Sequence, residues 1–160
     1  MEDYLGEIRQ VTLKPMRMAS AQRIGAEPEN EVIEFITNWA NKHGIDHKST
    51  RSFGFDIPVA DAEKQKGHRG YEYWIAIPEG IGPEPETKLV DFTGGEYITL
   101  RINDPFVDPF DRIPKGWQHL VAHIRSQNLM ADFCTVGSCL EEVVTENGVT
   151  CMDILIRLKK

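Results

Sequence analysis

The 160-residue sequence predicts an α+β fold: a pseudo-twofold duplication of a β-α-β-β module, with antiparallel sheets, both helices on one face and a ligand cleft on the other. Three observations carry this expectation. The order strand, helix, strand, strand reads twice along the chain. Apolar positions in the second copy sit at one constant spacing from those in the first, pairing Val11 with Val90, Leu13 with Phe92, Met18 with Tyr97, Ile75 with Ile154 and Ile77 with Ile156. Each helical stretch carries a single apolar stripe, which demands a sheet face to cover it. Two such copies bury one sheet face under their helices and leave the other as a concave surface at the pseudo-twofold axis, where pockets form.

The elements follow in order. Residues 7–24 alternate apolar and polar positions on either side of Pro15, which predicts a long strand with a kink. Residues 28–44 read as a helix. Pro28 suits its first turn, Glu27, Glu29 and Glu31 complement the positive end of the dipole, and Gly44 stops it. Its stripe is Val32, Ile33, Ile36, Trp39 and Ala40. Ser52–Pro58 and Tyr71–Pro78 read as strands, with Asp61–Gly70 as a surface loop between them. Gly80 to Glu86 reads as the linker. Lys88–Ile102 is a strand bent at Gly94-Gly95, and Pro109–Gln127 holds a helix with Ile113, Trp117, Leu120, Val121 and Ile124 on one face. Asp132–Thr145 and Val149–Leu158 are strands joined at Asn147-Gly148, a strong hairpin signal. The chain is therefore expected to be one domain over 1–160, with module one about 7–80 and module two about 88–160.

Composition narrows the function. The net charge of −7 is spread along both halves with no basic stripe, so direct nucleic-acid binding is not expected. No apolar run approaches a membrane span, and the acidic start Met1-Glu2-Asp3-Tyr4 lacks the order of a signal peptide, so no membrane association and a cytoplasmic location are expected. Cys134, Cys139 and Cys151 are too few and oddly numbered for a disulfide framework and read as buried free thiols. The pairs His119/His123 and His43/His47 have helical spacing but no neighbouring zinc-hydrolase glutamate, and Gly94-Gly95 and Ser138 lack the flanking signals of a phosphate loop or a nucleophile elbow. No metal and no cofactor are expected.

Strand alternation selects the site. In Tyr71–Pro78, Tyr73, Ile75 and Ile77 form the helix-facing set, so Glu72, Trp74 and Ala76 point the other way. Phe53 and Phe55 share one face of their strand and are placed to join Trp74. In Cys139–Val144, Leu140 and Val144 are read as helix-facing, which puts Glu141 and Val143 on the opposite face. The expectation is an aromatic-walled cavity with one or two carboxylates. Rings supply stacking and cation–π attraction, and a carboxylate supplies countercharge or a general acid or base. The alternative reading of the same pattern keeps Trp74 in the core and Glu72 and Glu141 solvated.

The text also resembles the GyrI-like proteins, whose domain forms the effector-binding part of several multidrug-responsive transcription activators. The pieces are Phe53-Gly54-Phe55-Asp56-x-Pro58, Gly70-Tyr71-Glu72-Tyr73-Trp74, Phe92-x-Gly94-Gly95-x-Tyr97, Trp117-x-x-Leu120, Leu140-Glu141-Glu142 and Met152-Asp153-Ile154. The resemblance implies a pocket for aromatic, often cationic molecules, with Trp74, Phe53, Phe55 and Tyr97 as ligand-binding residues. It maps the family's central acidic residue onto Glu141, where Val143 replaces a usual tyrosine. Three functions follow as expectations. The first is a stand-alone drug sensor or sequestering protein. The second is a hydrolase that opens the cyclopropane ring of cyclopropyl-indole DNA-alkylating compounds, with Glu141 or Glu72 as catalytic carboxylate. The third is a protein–protein inhibitor acting through acidic surface. No helix-turn-helix pattern precedes residue 7, so a regulatory role would run through another regulator chain or an operon partner protein.

Overall fold

In the computed structural model, residues 2–82 and 84–159 are described, so Met1, Lys160 and, within the Gly80–Glu86 connection, Pro83 lie outside the described residues. The elements in chain order are β1 (Leu5–Leu13), β2 (Met16–Gly25), α1 (Pro28–Lys42), β3 (Ser52–Ile57), α2 (Asp61–Gln65), β4 (Arg69–Ala76), β5 (Lys88–Phe92), β6 (Gly95–Asn103), α3 (Pro109–Ser126), β7 (Cys139–Glu146) and β8 (Val149–Arg157). The fold class is α+β with antiparallel sheets, as the sequence predicts.

The contacts divide the chain into two compact units, Pro15–Thr93 and Met1–Lys14 with Gly94–Lys160. In the first unit the strand order is β3-β4-β2-β5, and α1 packs on one face. Val32, Ile36, Trp39 and Ala40 of α1 meet Ala19 and Ala21 of β2 and Tyr71 and Ile75 of β4. Ile33, read as part of the stripe, sits at its edge and stays exposed. In the second unit the order is β1-β6-β8-β7, with α3 on one face. Leu120 and Ile124 of α3 pack on Ile98, Leu100 and Ile102 of β6 and on Met152, Ile154 and Ile156 of β8. Each sheet thus buries one alternate set of side chains under its own helix.

The expected long kinked strand over 7–24 is two strands with different partners. β1 pairs with β6, and β2 pairs with β4 and β5. Pro15 has no N–H to carry a ladder through the break. The leading strand of each sequence copy therefore pairs with the second strand of the other copy. The two exchanged pairings are equivalent: Val11 opposes Tyr97 as Val90 opposes Met18, and Leu13 opposes Gly95 as Phe92 opposes Met16.

Three local expectations need correction. Asp61–Gly70 is not all loop: it contains α2 and the start of β4. The strand expected from Asp132 begins at Cys139, because Asp132 turns the chain by accepting the backbone N–H groups of Cys134 and Thr135 at 2.9 and 3.1 Å. Of the thiols, Cys151 is buried, Cys139 is half-buried and Cys134, in that turn, is exposed. The β7–β8 hairpin closes where Asn-Gly predicts it, with Asn147 at φ 53° and Gly148 at φ 77°, the left-handed pair a two-residue turn requires.

Candidate functional site

β4 has two distinct faces. Tyr71, Tyr73 and Ile75 turn toward α1, so Glu72 and Trp74 turn to the face away from it. The neighbouring strands bring their own side chains to that side. Ser20 and Gln22 of β2 lie opposite Trp74 and Glu72, and Phe53 and Phe55 of β3 lie opposite the same two residues. Directly opposed side chains on one sheet face are in contact range. β5 adds Phe92 from the far side of β2.

These rings form one cluster. Phe55 meets Trp74 edge-on, with centroids 5.0 Å apart and planes at 83°. Phe92 lies 5.8 Å from Trp74 and 6.2 Å from Phe53. The Arg51 guanidinium stands 5.1 Å from the Phe53 ring. Trp74 and Phe53 are completely buried. Phe55 and Phe92 thus touch Trp74, Phe53 opposes it across the ladder, and Trp74 itself is buried, as the alternative reading of the pattern expects.

Glu72 stands at the edge of this cluster, itself buried. One carboxylate oxygen accepts the Ser20 hydroxyl at 2.8 Å and the Trp74 indole N–H at 2.5 Å; the other accepts the Gln22 amide at 2.6 Å. A buried carboxylate is costly unless such donors replace its water. All three donors are neutral, and among the described residues no cationic side chain pairs with Glu72. The carboxylate is thus held by neutral hydrogen-bond donors and not by a counterion.

The equivalent position in the other unit is built differently. Arg101 of β6 opposes Asp153 of β8 as Gln22 opposes Glu72, and Thr99 opposes Leu155 as Ser20 opposes Trp74. Asp153 receives the Arg101 guanidinium at 2.8 and 3.0 Å, with Arg9 at 3.7 Å. Arg101 also reaches Glu146 at 3.1 Å, and its bond to Asp153 pushes its pKa further up. Two carboxylates at the same ladder position therefore have different partners: Asp153 a forked guanidinium pair, and Glu72 three neutral donors beside an aromatic cluster.

Two other residues singled out from the sequence are placed differently. Glu141 is a correction. It opposes Ile154, which packs under α3, so Glu141 faces the helix and accepts the Trp117 indole N–H at 3.3 Å. The β7 carboxylate on the face away from α3 is Glu142, which opposes Asp153 and is buried. Leu140, buried on that same face, mimics a helix-facing residue. Tyr97 belongs to the unit with β6, is fully buried, and donates its hydroxyl to the Gly137 carbonyl at 2.5 Å. Burial pushes its pKa up to about 12, against the neighbouring Arg157 charge.

Ser20, Gln22 and Phe92 were not reached by sequence reasoning as parts of the site. Ser20 carried a signal, since it lies in the alternation of Met16, Met18 and Ser20, but its partner depends on the β2–β4 register. Two surface depressions lie elsewhere. One of about 430 Å³ is lined by Glu2, Leu5, Lys115, Gln118 and His119, and one of about 440 Å³ includes Phe35, Trp39, Lys42 and Glu84. Among the described residues no group of three or more His, Cys, Asp or Glu is placed to hold a metal ion, and no helix is long and apolar enough to cross a membrane.

Comparison with known proteins adds the family. Residues 6–159 match the GyrI-like small molecule binding domain. A search of curated proteins found no match. Among solved structures, the EcmrR C-terminal domain superposes with a TM-score of 0.72 at 12% identity, covering 96% of this chain and 98% of that one. The chain spans 58% of the EcmrR chain in its DNA complex, at 11% identity, with 98% of this chain covered and a TM-score of 0.71. A hydrolase from Listeria innocua gives 0.60 at 10% identity, with 96% and 92% covered. SAV2435 bound to tetraphenylphosphonium gives 0.51 at 12%, with 96% and 94% covered. At these identities the likeness is one of fold.

Proposed function

The chain belongs to the family of GyrI-like small-molecule binding domains, and from that premise we propose that it binds aromatic cations, with Glu72 as countercharge and Trp74, Phe53, Phe55 and Phe92 as the stacking surface. The observation that carries this reading is the buried carboxylate held by neutral donors alone. An apolar cluster that merely filled space would gain nothing from a buried charge, whereas a ligand cation gains both ring attraction and charge neutralisation there. The whole chain acts as one domain in this reading, in the cytoplasm, as a sensor or sequestering protein. Any effect on transcription runs through another regulator or an operon partner protein. Tyr97 is assigned to holding the Gly137 backbone and not to the ligand.

Tetraphenylphosphonium is the probe of choice, because a solved structure of the same fold carries it. Titration followed by tryptophan fluorescence and calorimetry is expected to show saturable binding. Glu72→Gln keeps the shape and most hydrogen bonds but removes the charge, so affinity is expected to fall about tenfold, or about 1.4 kcal/mol. Triphenylphosphine oxide, a neutral analogue, is expected to bind weakly to both forms. Equal affinity of wild type and Glu72→Gln for the cation would remove Glu72 as the countercharge.

A second reading uses the same carboxylate as a base. Glu72 beside an aromatic surface could hold a water that attacks a strained cyclopropane in a planar cyclopropyl-indole alkylator. The water oxygen bonds to the ring carbon, the ring C–C bond breaks with its electron pair passing into the conjugated system, and the water proton goes to the carboxylate. Mass spectrometry of the ring-opened product is the test, with Glu72→Gln and Glu141→Gln beside wild type. With Glu141 turned toward α3, loss of turnover is expected in Glu72→Gln. Saturable binding without turnover in wild type would leave the binding reading alone.

A further inference from the structure

The rings beside Glu72 already carry a cation of the protein's own. Arg51 directly precedes β3, and its carbonyl accepts the Ala76 N–H at 2.9 Å. Its side chain lies on the same face as Phe53, two residues on, and the guanidinium stands 5.1 Å over that ring, within cation–π range. Phe53 is completely buried, so every part of its ring is covered. Three neighbours in the cluster are Phe92 at 6.2 Å, Trp74 across the ladder and the Arg51 guanidinium. Phe92 and Trp74 are themselves buried, whereas Arg51 is exposed. Buried rings are locked by close packing. An exposed arginine swings into water about its own torsions, with the backbone bond to Ala76 intact. Of these three groups, Arg51 is the one a ligand can displace.

Glu72 lies at the other end of the row. It opposes Phe55, four residues from Arg51, which is about 13 Å along the strand. The rings are therefore bounded by a carboxylate held in place by three hydrogen bonds at one end and by a movable cation at the other.

We propose that Arg51 determines the specificity of this site: its guanidinium holds the Phe53 ring in the free protein, and a ligand cation binds by taking that place. The inference rests on the reading of Glu72 and its rings as a site for aromatic cations. Selection follows from what each competitor gives up. A guanidinium is planar and weakly hydrated, so it suits a ring face well. A small ammonium ion brings the same charge but gives up more hydration, so the exchange does not favour it. A bulky aromatic cation adds the burial of its own apolar surface, which tips the exchange toward it. Because like charges repel, Arg51 also opposes a cation more than a neutral ligand of the same shape. Only ligands that join charge to a large apolar surface pass both conditions.

Side-chain nuclear magnetic resonance and ligand titration of the full chain test this together. In free wild type the Arg51 Nε–H signal is expected to carry a ring-current shift that Phe53→Leu removes. Saturating tetraphenylphosphonium is expected to remove the same shift, and tetramethylammonium at the same concentration to leave it in place. Arg51→Met and Arg51→Gln both remove the charge at an exposed position. Each is expected to bind tetraphenylphosphonium about three- to fivefold more tightly than wild type, with a smaller gain for triphenylphosphine oxide. In a Phe53→Leu background the gain from Arg51→Met is expected to vanish, because the ring for which the two cations compete is gone. Four results would each overturn the proposal: no ring-current shift in the free protein, a shift that survives saturation, equal displacement by tetramethylammonium, or an undiminished gain in the Phe53→Leu background. An equal gain for the neutral analogue would do so too, since it makes Arg51 a steric cover. Binding that weakens in Glu72→Gln but is unchanged in both Arg51 variants overturns this inference alone and leaves the Glu72 reading standing. No binding by wild type or by either Arg51 variant removes both.

Discussion

Single side chains in this protein are decided by what they oppose. Glu72 and Asp153 occupy equivalent places, yet one sits among neutral donors and the other under a guanidinium fork. Tyr97 shows a different consequence of burial. Its hydroxyl has an ordinary pKa of 10.0 and is raised to about 12, chiefly by desolvation. A phenol that resists ionisation in the fold and not in the unfolded chain adds stability in full below pH 10, and that contribution is lost as pH rises through about 12. An alkaline titration read by phenolate absorbance is expected to show a late component near pH 12 that vanishes in Tyr97→Phe. The variant should also lose less stability between pH 10 and 12, while at neutral pH it loses the bond to the Gly137 carbonyl, about 1 kcal/mol. Unchanged titration in the variant would assign the late component elsewhere. Glu72 and Trp74 were readable one by one, because β4 has one face that must meet α1. Glu141 was not, because β7 carries the buried Leu140 on the side away from its helix, so apolarity alone could not tell its two faces apart.

At the level of elements, the fit of α3 on its sheet depends on the absence of a side chain at Gly116. A Cβ there would stand 2.6 Å from Cδ1 and 2.9 Å from Cγ1 of Ile102, which is itself fully buried. Gly116→Ala raises helix propensity by about 1 kcal/mol. It also overpacks a tight contact, at a cost of about 1–3 kcal/mol. The expected net effect is a destabilisation of about 1 kcal/mol in denaturant unfolding. Ile102→Val removes the nearest atom, so adding it to Gly116→Ala should recover part of that loss. A Gly116→Ala protein more stable than wild type would show that the sheet yields freely. The helix boundaries were legible in Pro28, in the acidic first turn and in the apolar spacing. The start of β7 was not, because the Asp132 turn is closed by hydrogen bonds that alternation does not register.

For the whole molecule, the chain crosses between its two compact units at 14/15 and again at 93/94. A cut between the sequence copies therefore does not separate two complete sheets. A fragment of residues 15–93 keeps β2, β3, β4, β5 and the α1 core together, whereas a fragment of residues 1–80 keeps β1 without β6 and β2 without β5. The first is expected to unfold cooperatively and at a higher temperature than the second, as followed by circular dichroism. A 1–80 fragment as stable as 15–93 would mean that β5 adds little to its sheet. The repeat was readable in its leading strands, where Val11 opposes Tyr97 as Val90 opposes Met18, but the constant spacing fails in β4 and β8: Tyr73 opposes Ala21 as Ile154 opposes Leu100, so Ile154 is the equivalent of Tyr73 and not of Ile75.

The sequence by itself determined the α+β class, the repeated order of elements, the two helices and the outward turn of Glu72 and Trp74 from α1. These follow from local rules, a two-residue period in strands and a near-four-residue period in helices, acting on side chains adjacent in the chain. Only the tertiary structure decided that β1 joins β6, that Phe92 reaches Trp74, that Glu141 faces α3 and that Asp153 meets a guanidinium where Glu72 meets neutral donors. Each of those depends on which strand pairs with which, and in what register. That choice is made by residues far apart in sequence, through the packing of whole sheets.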